Sequence, residues 1–341
     1  MLKPNNENSN SLLLATQKSP SNTPLFLHDT LTLSPHSFST SSPLLLDSQL
    51  SNFNLNIHLD YLRVSSSSLT EKSFLCLFSS LFSKVAYTTI NKPWHPHPNT
   101  PKSKQYQNQT VSKTGIVLGY SKRAKYRGQN TRYVYDIMID FTGAYFANLS
   151  LLEQQNLIYY LNSNWQLKCH RLDVAVDDYS RKLFPVGQMI AAFLKGDNFG
   201  FQVIDDSYLD IIDNLLVGTL GIGSRRSQLF IRIYTKHLKF VRWEAELKQR
   251  EAQKLFDTLS DLTNTTSSSK LHLKDAQIAL AHAAFSYIDF RDKSDSISPK
   301  NATKARTNQL FFWRSFKQML FSSLENQTTS NLEVKRLSEN A

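Results

Sequence analysis

Cysteine is nearly missing from this chain: Cys76 and Cys169 are the two in 341 residues, far apart and without a Cys-x-x-Cys pair. That excludes a disulfide-stapled scaffold and a zinc ribbon. Long apolar runs are missing too. Near the N-terminus they span only residues 12–15 and 44–46, far too short for a signal-peptide core or a membrane span, so a cytoplasmic location is expected. No internal repeat of useful length occurs. Acids are in short supply as well: 28 Asp and Glu stand against 39 Lys and Arg, a formal charge of +11 with a pI near 9.5. Such a balance speaks about partners and points to a polyanion, with nucleic acid ahead of an anionic membrane.

What is present divides the chain. Residues 1–54 are rich in Ser, Asn, Thr, Pro and Leu without a sustained period and are expected to form a flexible leader. Folded sequence is expected from FNLNIHLDYLRV, where Leu55, Ile57, Leu59 and Tyr61 alternate with polar neighbours as in a half-buried strand. Ser68 and Glu71 read as a capping box for the helix SFLCLFSSLFSKV. Residues 115–122 and 131–141 read as a hairpin whose tip is the basic loop SKRAKYRGQN. A second capping box, Ser150 with Glu153, opens LLEQQNLIYYLNS. A strand at 170–178 and a helix at 183–195, stopped by Gly196, come next. Three closely spaced runs then follow, LLVGTLGIGSR, LFIRIYTK and FVRWEAELK.

This order predicts an α+β domain over residues 55–262, built on a largely antiparallel sheet with helices on one face and the other face free for chemistry. TNTTSSSK at 263–270 is expected to be a linker, and residues 271–341 a helical C-terminal region.

The strand period sorts the charged residues. In HRLDVAVDDYS, Leu172, Val174 and Val176 share one face, and Arg171, Asp173, Ala175 and Asp177 the other. In FIRIYTK, Arg232, Tyr234 and Lys236 oppose Ile231 and Ile233. In VRWEAELK, Arg242, Glu244, Glu246 and Lys248 oppose Val241, Trp243, Ala245 and Leu247. Each strand alone would suit an ordinary solvated sheet face, with cross-strand ion pairs of about 0.2–1 kcal/mol. If the three share a sheet, their polar faces meet. Asp173, Asp177, Glu244 and Glu246 then supply the oxygen ligands Mg²⁺ or Mn²⁺ prefers, and Tyr234 an oxygen nucleophile. Those parts, with cations to offset charge on a phosphate, are what phosphoryl transfer needs.

RLDVAVDD, GTLGIGSRRS, FIRIYTK and RWEAEL, in this order, resemble the rolling-circle replication initiators of the replication initiation factor family, found in small plasmids and filamentous phages. The resemblance covers about residues 55–260. It implies a site-specific DNA nickase and strand transferase. The tyrosine of the R-I-Y-x-K motif, Tyr234 here, would attack one strand at the origin, keep the 5′-phosphate and leave a 3′-hydroxyl for a polymerase. It also implies Mg²⁺ or Mn²⁺ on Asp173, Asp177 and Glu244, with Glu246 as a fourth candidate. Lys236 and Arg232 would assist the nucleophile, while Arg171 and Arg242, from the same motifs, would contact DNA. Ser224, Arg225 and Ser227, beside Gly221 and Gly223, are expected to contact the DNA backbone. Origin DNA, duplex or hairpin and then single-stranded, is the expected partner, with a host helicase, a polymerase and a second copy of the chain as further expectations. A non-catalytic DNA-binding regulator and a hydrolytic metal-dependent nuclease are the alternatives.

Other stretches carry weaker signals. Lys122, Arg123, Lys125, Arg127 and Arg132 form the densest basic cluster and either grip duplex or hairpin DNA or solubilise a loop. The histidines of WHPHPN, bracketed by prolines, read as a surface connection. Phe311, Phe312, Trp313 and Phe316 have helical spacing and are expected in the core rather than stacked on bases. Asp178 has the parity opposite to Asp177 and is expected to face a loop.

Overall fold

The computed structural model describes residues 55–83, 85–90, 92–94, 106–127, 130–195, 197–199, 203–205, 210–212, 215–265, 269–291, 309–322 and 324. The expected leader, His95, His97 and Gly196 lie outside them. The strands are β1 (Leu55–Thr70), β2 (Tyr87–Ile90), β3 (Asn108–Ser112), β4 (Ile116–Arg127), β5 (Asn130–Phe141), β6 (Lys168–Asp178), β7 (Asn198–Phe199), β8 (Val203–Asp205), β9 (Asp210–Ile212), β10 (Leu215–Val217), β11 (Thr219–Ile222), β12 (Leu229–Lys236), β13 (Phe240–Lys248) and β14 (Asp289–Phe290). The helices are α1 (Glu71–Phe82), α2 (Gly143–Phe146), α3 (Leu151–Tyr159), α4 (Val186–Lys195), α5 (Gln249–Thr265), α6 (Ser269–Phe285) and α7 (residues 311–322). Among the described residues no helix is long and apolar enough to cross a membrane.

Ten strands form one antiparallel sheet in the order β2-β3-β4-β5-β1-β6-β13-β12-β11-β8, which makes the fold α+β as the pattern predicts. Its core face carries Leu62, Leu172, Val174, Val176, Ile231, Ile233, Trp243 and Leu247, all buried. Helices cover that face. The Trp243 indole donates to the Ala284 carbonyl of α6 at 3.2 Å and stacks near Trp313 of α7. Phe74 of α1 stacks on Tyr135 with ring centroids 4.2 Å apart. Trp313 and Phe316 are in the core, as helical spacing predicts, while Phe311 is exposed.

Four local expectations are corrected. In β1, Leu59 pairs with Val174 and Tyr61 with Asp173, so Asp60 is an extra residue, a β-bulge that inverts the alternation. Leu62 and Val64 therefore continue the core face, and Tyr61 joins the polar one. Helix α1 is capped by Thr70, whose Oγ1 accepts from the Ser73 amide at 3.1 Å, not by Ser68. Pairing of β1 with β5 runs to Thr70, and Ser68 sits at its irregular point with φ 94°, so the helix cannot begin earlier. Residues 121–127 of the expected basic loop are strand: β4 and β5 stay paired out to Arg127 and Asn130. Finally, the segment expected as a linker is helical at both ends, with α5 reaching Thr265 and α6 starting at Ser269. The Ser150–Glu153 capping box is present as expected, with the Ser150 amide donating to Glu153 Oε2 at 2.7 Å.

Gly119 of β4 is required by a close approach. A Cβ there would lie 2.0 Å from Cε3 of Trp94, whose backbone pairs with Tyr106.

Candidate active site on the polar face of the sheet

Register decides which polar side chains meet. Across β1, β6, β13 and β12, one row runs Asn56, Asp177, Arg242, Tyr234; a second runs His58, Ala175, Glu244, Arg232; a third runs Tyr61, Asp173, Glu246, Phe230. The structure thus brings Arg171, Asp173, Asp177, Arg232, Tyr234, Lys236, Arg242, Glu244 and Glu246 onto one face, as their parity predicts.

This face is not a solvated one. Asp173 and Asp177 are 1% exposed, Glu244 2% and Arg242 3%. Desolvated charges at this depth are tolerated only when paired and hydrogen-bonded. Each acid has its cation. Arg171 forks onto Asp173 at 2.8 and 2.6 Å and lies 3.2 Å from Glu246, which also meets Lys248 at 2.7 Å. Arg242 forks onto Asp177 at 2.6 and 2.7 Å and reaches the bulged Asp60 at 2.7 Å. Arg232 bonds Glu244 Oε1.

Tyr234 lies at the edge of this network, half-buried. Its Oη donates to Glu244 Oε2 at 2.9 Å, so Glu244 bridges the phenol and Arg232. Burial and the Glu244 charge raise the Tyr234 pKa well above the ordinary phenol value, and Arg242 opposes that rise. The phenol is therefore protonated at neutral pH, with the Glu244 carboxylate as its hydrogen-bond acceptor. Lys236 lies 4.0 Å from Asp60 Oδ1. On this face Nε of Arg232 and Nδ1 of His58 are buried with no hydrogen-bond partner among the described residues.

Burial also pushes the Asp173 carboxyl up to about 7, against Arg171, whose two bonds favour the ionised form. A folded-state pKa above the unfolded value of about 3.9 means the acid's contribution is full below that pH and is lost as pH rises through about 7. Asp173→Asn should therefore flatten the fall of the thermal midpoint between about pH 4 and 7.5, followed by circular dichroism. Parallel curves for the two proteins would refute it.

The expected metal ligands do not converge. Among the described residues no three His, Cys, Asp or Glu side chains are grouped to hold an ion. Asp173, Asp177, Glu244 and Glu246 are each already engaged by a guanidinium or ammonium. As arranged they do not fit a hard dication, which would have to displace an arginine.

Gly223, with φ 86°, sets the β11–β12 turn, and Ser224 and Ser227 are bound into it: Ser224 Oγ accepts from the Arg226 amide at 3.2 Å and Ser227 Oγ donates to the Ser224 carbonyl at 2.6 Å. Those hydroxyls are turn builders here, while Arg225 lies over the Phe230 ring at 5.2 Å. Asp178 also serves the backbone, accepting from the amides of Arg181 at 3.1 Å and Leu183 at 2.7 Å. Lys122, Arg123, Lys125 and Arg127 lie on β4, apart from the tyrosine site.

Sequence reasoning missed His58, Asp60, Tyr61 and Arg63. Their signal was the step from two to three in the apolar series Ile57, Leu59, Leu62, Val64, which marks a bulge. Arg63 forks onto Asp140 at 2.7 and 2.6 Å and donates to Tyr61 Oη at 2.8 Å, while Arg171 lies over the Tyr61 ring at 4.5 Å. Burial lowers the His58 pKa, which keeps that imidazole neutral at pH 7.

A rolling circle replication initiator protein from Geobacillus stearothermophilus is similar in structure, with 17% identity and a TM-score of 0.49 over 78% of this chain and 97% of that one. No protein-family model and no curated protein matches the chain.

Proposed function

We propose that the protein cuts one DNA strand at a defined site and rejoins it through a phosphotyrosine on Tyr234, the opening step of rolling-circle replication of a plasmid or phage. One observation carries the reading: the half-buried Tyr234 hydroxyl is bonded to Glu244 at 2.9 Å, with Arg232 on the other carboxylate oxygen and Arg242 opposite the tyrosine in register. The four ordered motifs and the charge of +11 add to it.

In the proposed step Tyr234 Oη attacks the scissile phosphorus while Glu244 takes its proton. The O–P bond to tyrosine forms and the bond to the 3′-oxygen breaks. That oxygen leaves as a 3′-hydroxyl after gaining a proton, and the 5′-phosphate stays on the protein. Arg232, through its unpartnered Nε, and Lys236 offset charge on the phosphate oxygens. Attack by a 3′-hydroxyl on the phosphotyrosine reverses the sequence and joins strands. The closed pairing of every acid with a cation also suits a second reading, a regulator that binds DNA without cutting it.

The test incubates the full chain with a supercoiled plasmid carrying its own gene and flanks, with Mg²⁺, with Mn²⁺ and with chelator. Nicked circles with a covalent peptide whose modified residue maps to Tyr234 are expected. Nicking without an adduct would indicate a hydrolytic nuclease, and binding without nicking the regulator.

A further inference from the structure

Strand β1 pairs with β5 only as far as Thr70 and Val134, and β3 pairs with β4 only as far as Asn108 and Tyr120. Beyond them β4 and β5 continue as a two-stranded ribbon, with Arg123, Ala124, Lys125, Tyr126 and Arg127 opposite Val134, Tyr133, Arg132, Thr131 and Asn130. Residues 122–135 hold five Lys or Arg and no acid, so the ribbon's charge is of one sign.

Alternation gives the ribbon two unlike faces. Lys122, Tyr126, Tyr133 and Tyr135 share the helix-covered face, and its root is occupied: Lys122 meets Glu71 of α1 at 3.0 Å and lies 4.7 Å from the Tyr133 ring centre, and Tyr135 donates to Glu71 at 3.2 Å. Arg123, Lys125 and Arg132 are exposed on the other face, where among the described residues Asp136 is the one acid paired with them, 2.6 Å from Arg123. By parity that face is continuous with the one bearing Asp140, Arg63, Arg171 and Tyr234.

We propose that this ribbon is a duplex-binding arm whose basic face lies in the DNA major groove. A major groove about 12 Å wide admits a two-stranded β-ribbon. Protecting a bare strand edge requires charge but not charge of one sign, and mixed signs would serve solubility as well. The Tyr234 row crosses β1 at Asn56, fourteen residues before Thr70, where the ribbon departs. Asp60 and Ser68 bulge out of the register, so about twelve rises of about 3.3 Å put the start of the arm about 40 Å from that row along the strands, equal to about 12 base pairs of duplex. Only this spacing rests on the proposed chemistry at Tyr234; duplex binding by the arm does not.

The test uses the full chain and a fluorescein-labelled 30-base-pair duplex of mixed sequence, with anisotropy read across a KCl series. Arg123→Gln/Lys125→Gln/Arg132→Gln should weaken binding about 100-fold at 0.15 M KCl and lower the log–log salt slope by about 2.7, the loss of three phosphate contacts. Lys113→Gln/Lys195→Gln/Lys254→Gln removes equal charge elsewhere and should change affinity less than about threefold. Equal losses in the two variants, or an unchanged slope, would overturn the inference. Loss of binding in the ribbon variant alongside a wild type that never forms an adduct keeps the arm and removes the nickase. Adduct formation with a ribbon variant that binds like wild type does the reverse.

Discussion

Tyr234→Phe should abolish covalent attachment to DNA and lower strand cutting by at least about 10⁴-fold, because the proposed reaction would lose its nucleophile while the site keeps its shape. Phenylalanine retains the ring and removes only the hydroxyl that donates to Glu244. Glu244 keeps Arg232, so the variant should unfold within about 1 kcal/mol of wild type, the usual size of one lost hydrogen bond. Tyr61 shares the polar face but cannot substitute. Its row lies four residues from the Tyr234 row, about 13 Å along the strands. Its hydroxyl is also held by Arg63, and burial holds its pKa far above the phenol range. The measurement is denaturing electrophoresis of labelled DNA with bound protein, beside thermal unfolding of both proteins. An adduct that persists in the Phe protein would remove Tyr234 from the chemistry.

Arg242→Leu should cost about 3–5 kcal/mol of stability, the typical penalty for leaving a buried charge without its partner. The arginine is 3% exposed and holds both oxygens of Asp177 and one of Asp60, and among the described residues no other cation is as close to Asp177. Lys236, 4.0 Å from Asp60 and partly exposed, answers only the second acid. Asp177→Asn/Arg242→Leu should regain part of the loss, because it removes the stranded carboxylate together with its partner. Chemical denaturation of wild type, single and double variants measures this directly. A single variant within about 1 kcal/mol of wild type would show that the network adds little net stability.

Alternation on β6, β12 and β13 was readable because side-chain direction in a strand has a period of two, a property of the backbone that needs no partner. That alone assigned Asp173, Asp177, Arg232, Tyr234, Arg242, Glu244 and Glu246 to one side and Trp243, Ile231 and Val174 to the other. The α+β class was readable for the same reason, since apolar periods of two and 3.6 alternate along the chain. The Ser150–Glu153 cap was readable as a contact four residues long.

Pairing is not a local property, and everything that depended on it came from tertiary structure. Which acid meets which arginine follows from register: the fork of Arg242 onto Asp177 and the bridge of Glu244 between Tyr234 and Arg232 exist because β13 lies between β6 and β12. That same closure turned expected metal ligands into ion pairs. The step from Leu59 to Leu62 marks a bulge in the sequence, but only the pairing of β1 with β6 places it at Asp60 and carries Tyr61 and Arg63 to the polar face. The basic run after Tyr120 reads as a loop by composition, yet cross-strand hydrogen bonds extend it as a ribbon. Composition and period therefore determined which residues are polar-facing and which are core, while the energy of pairing distant strands decided what each charged group touches.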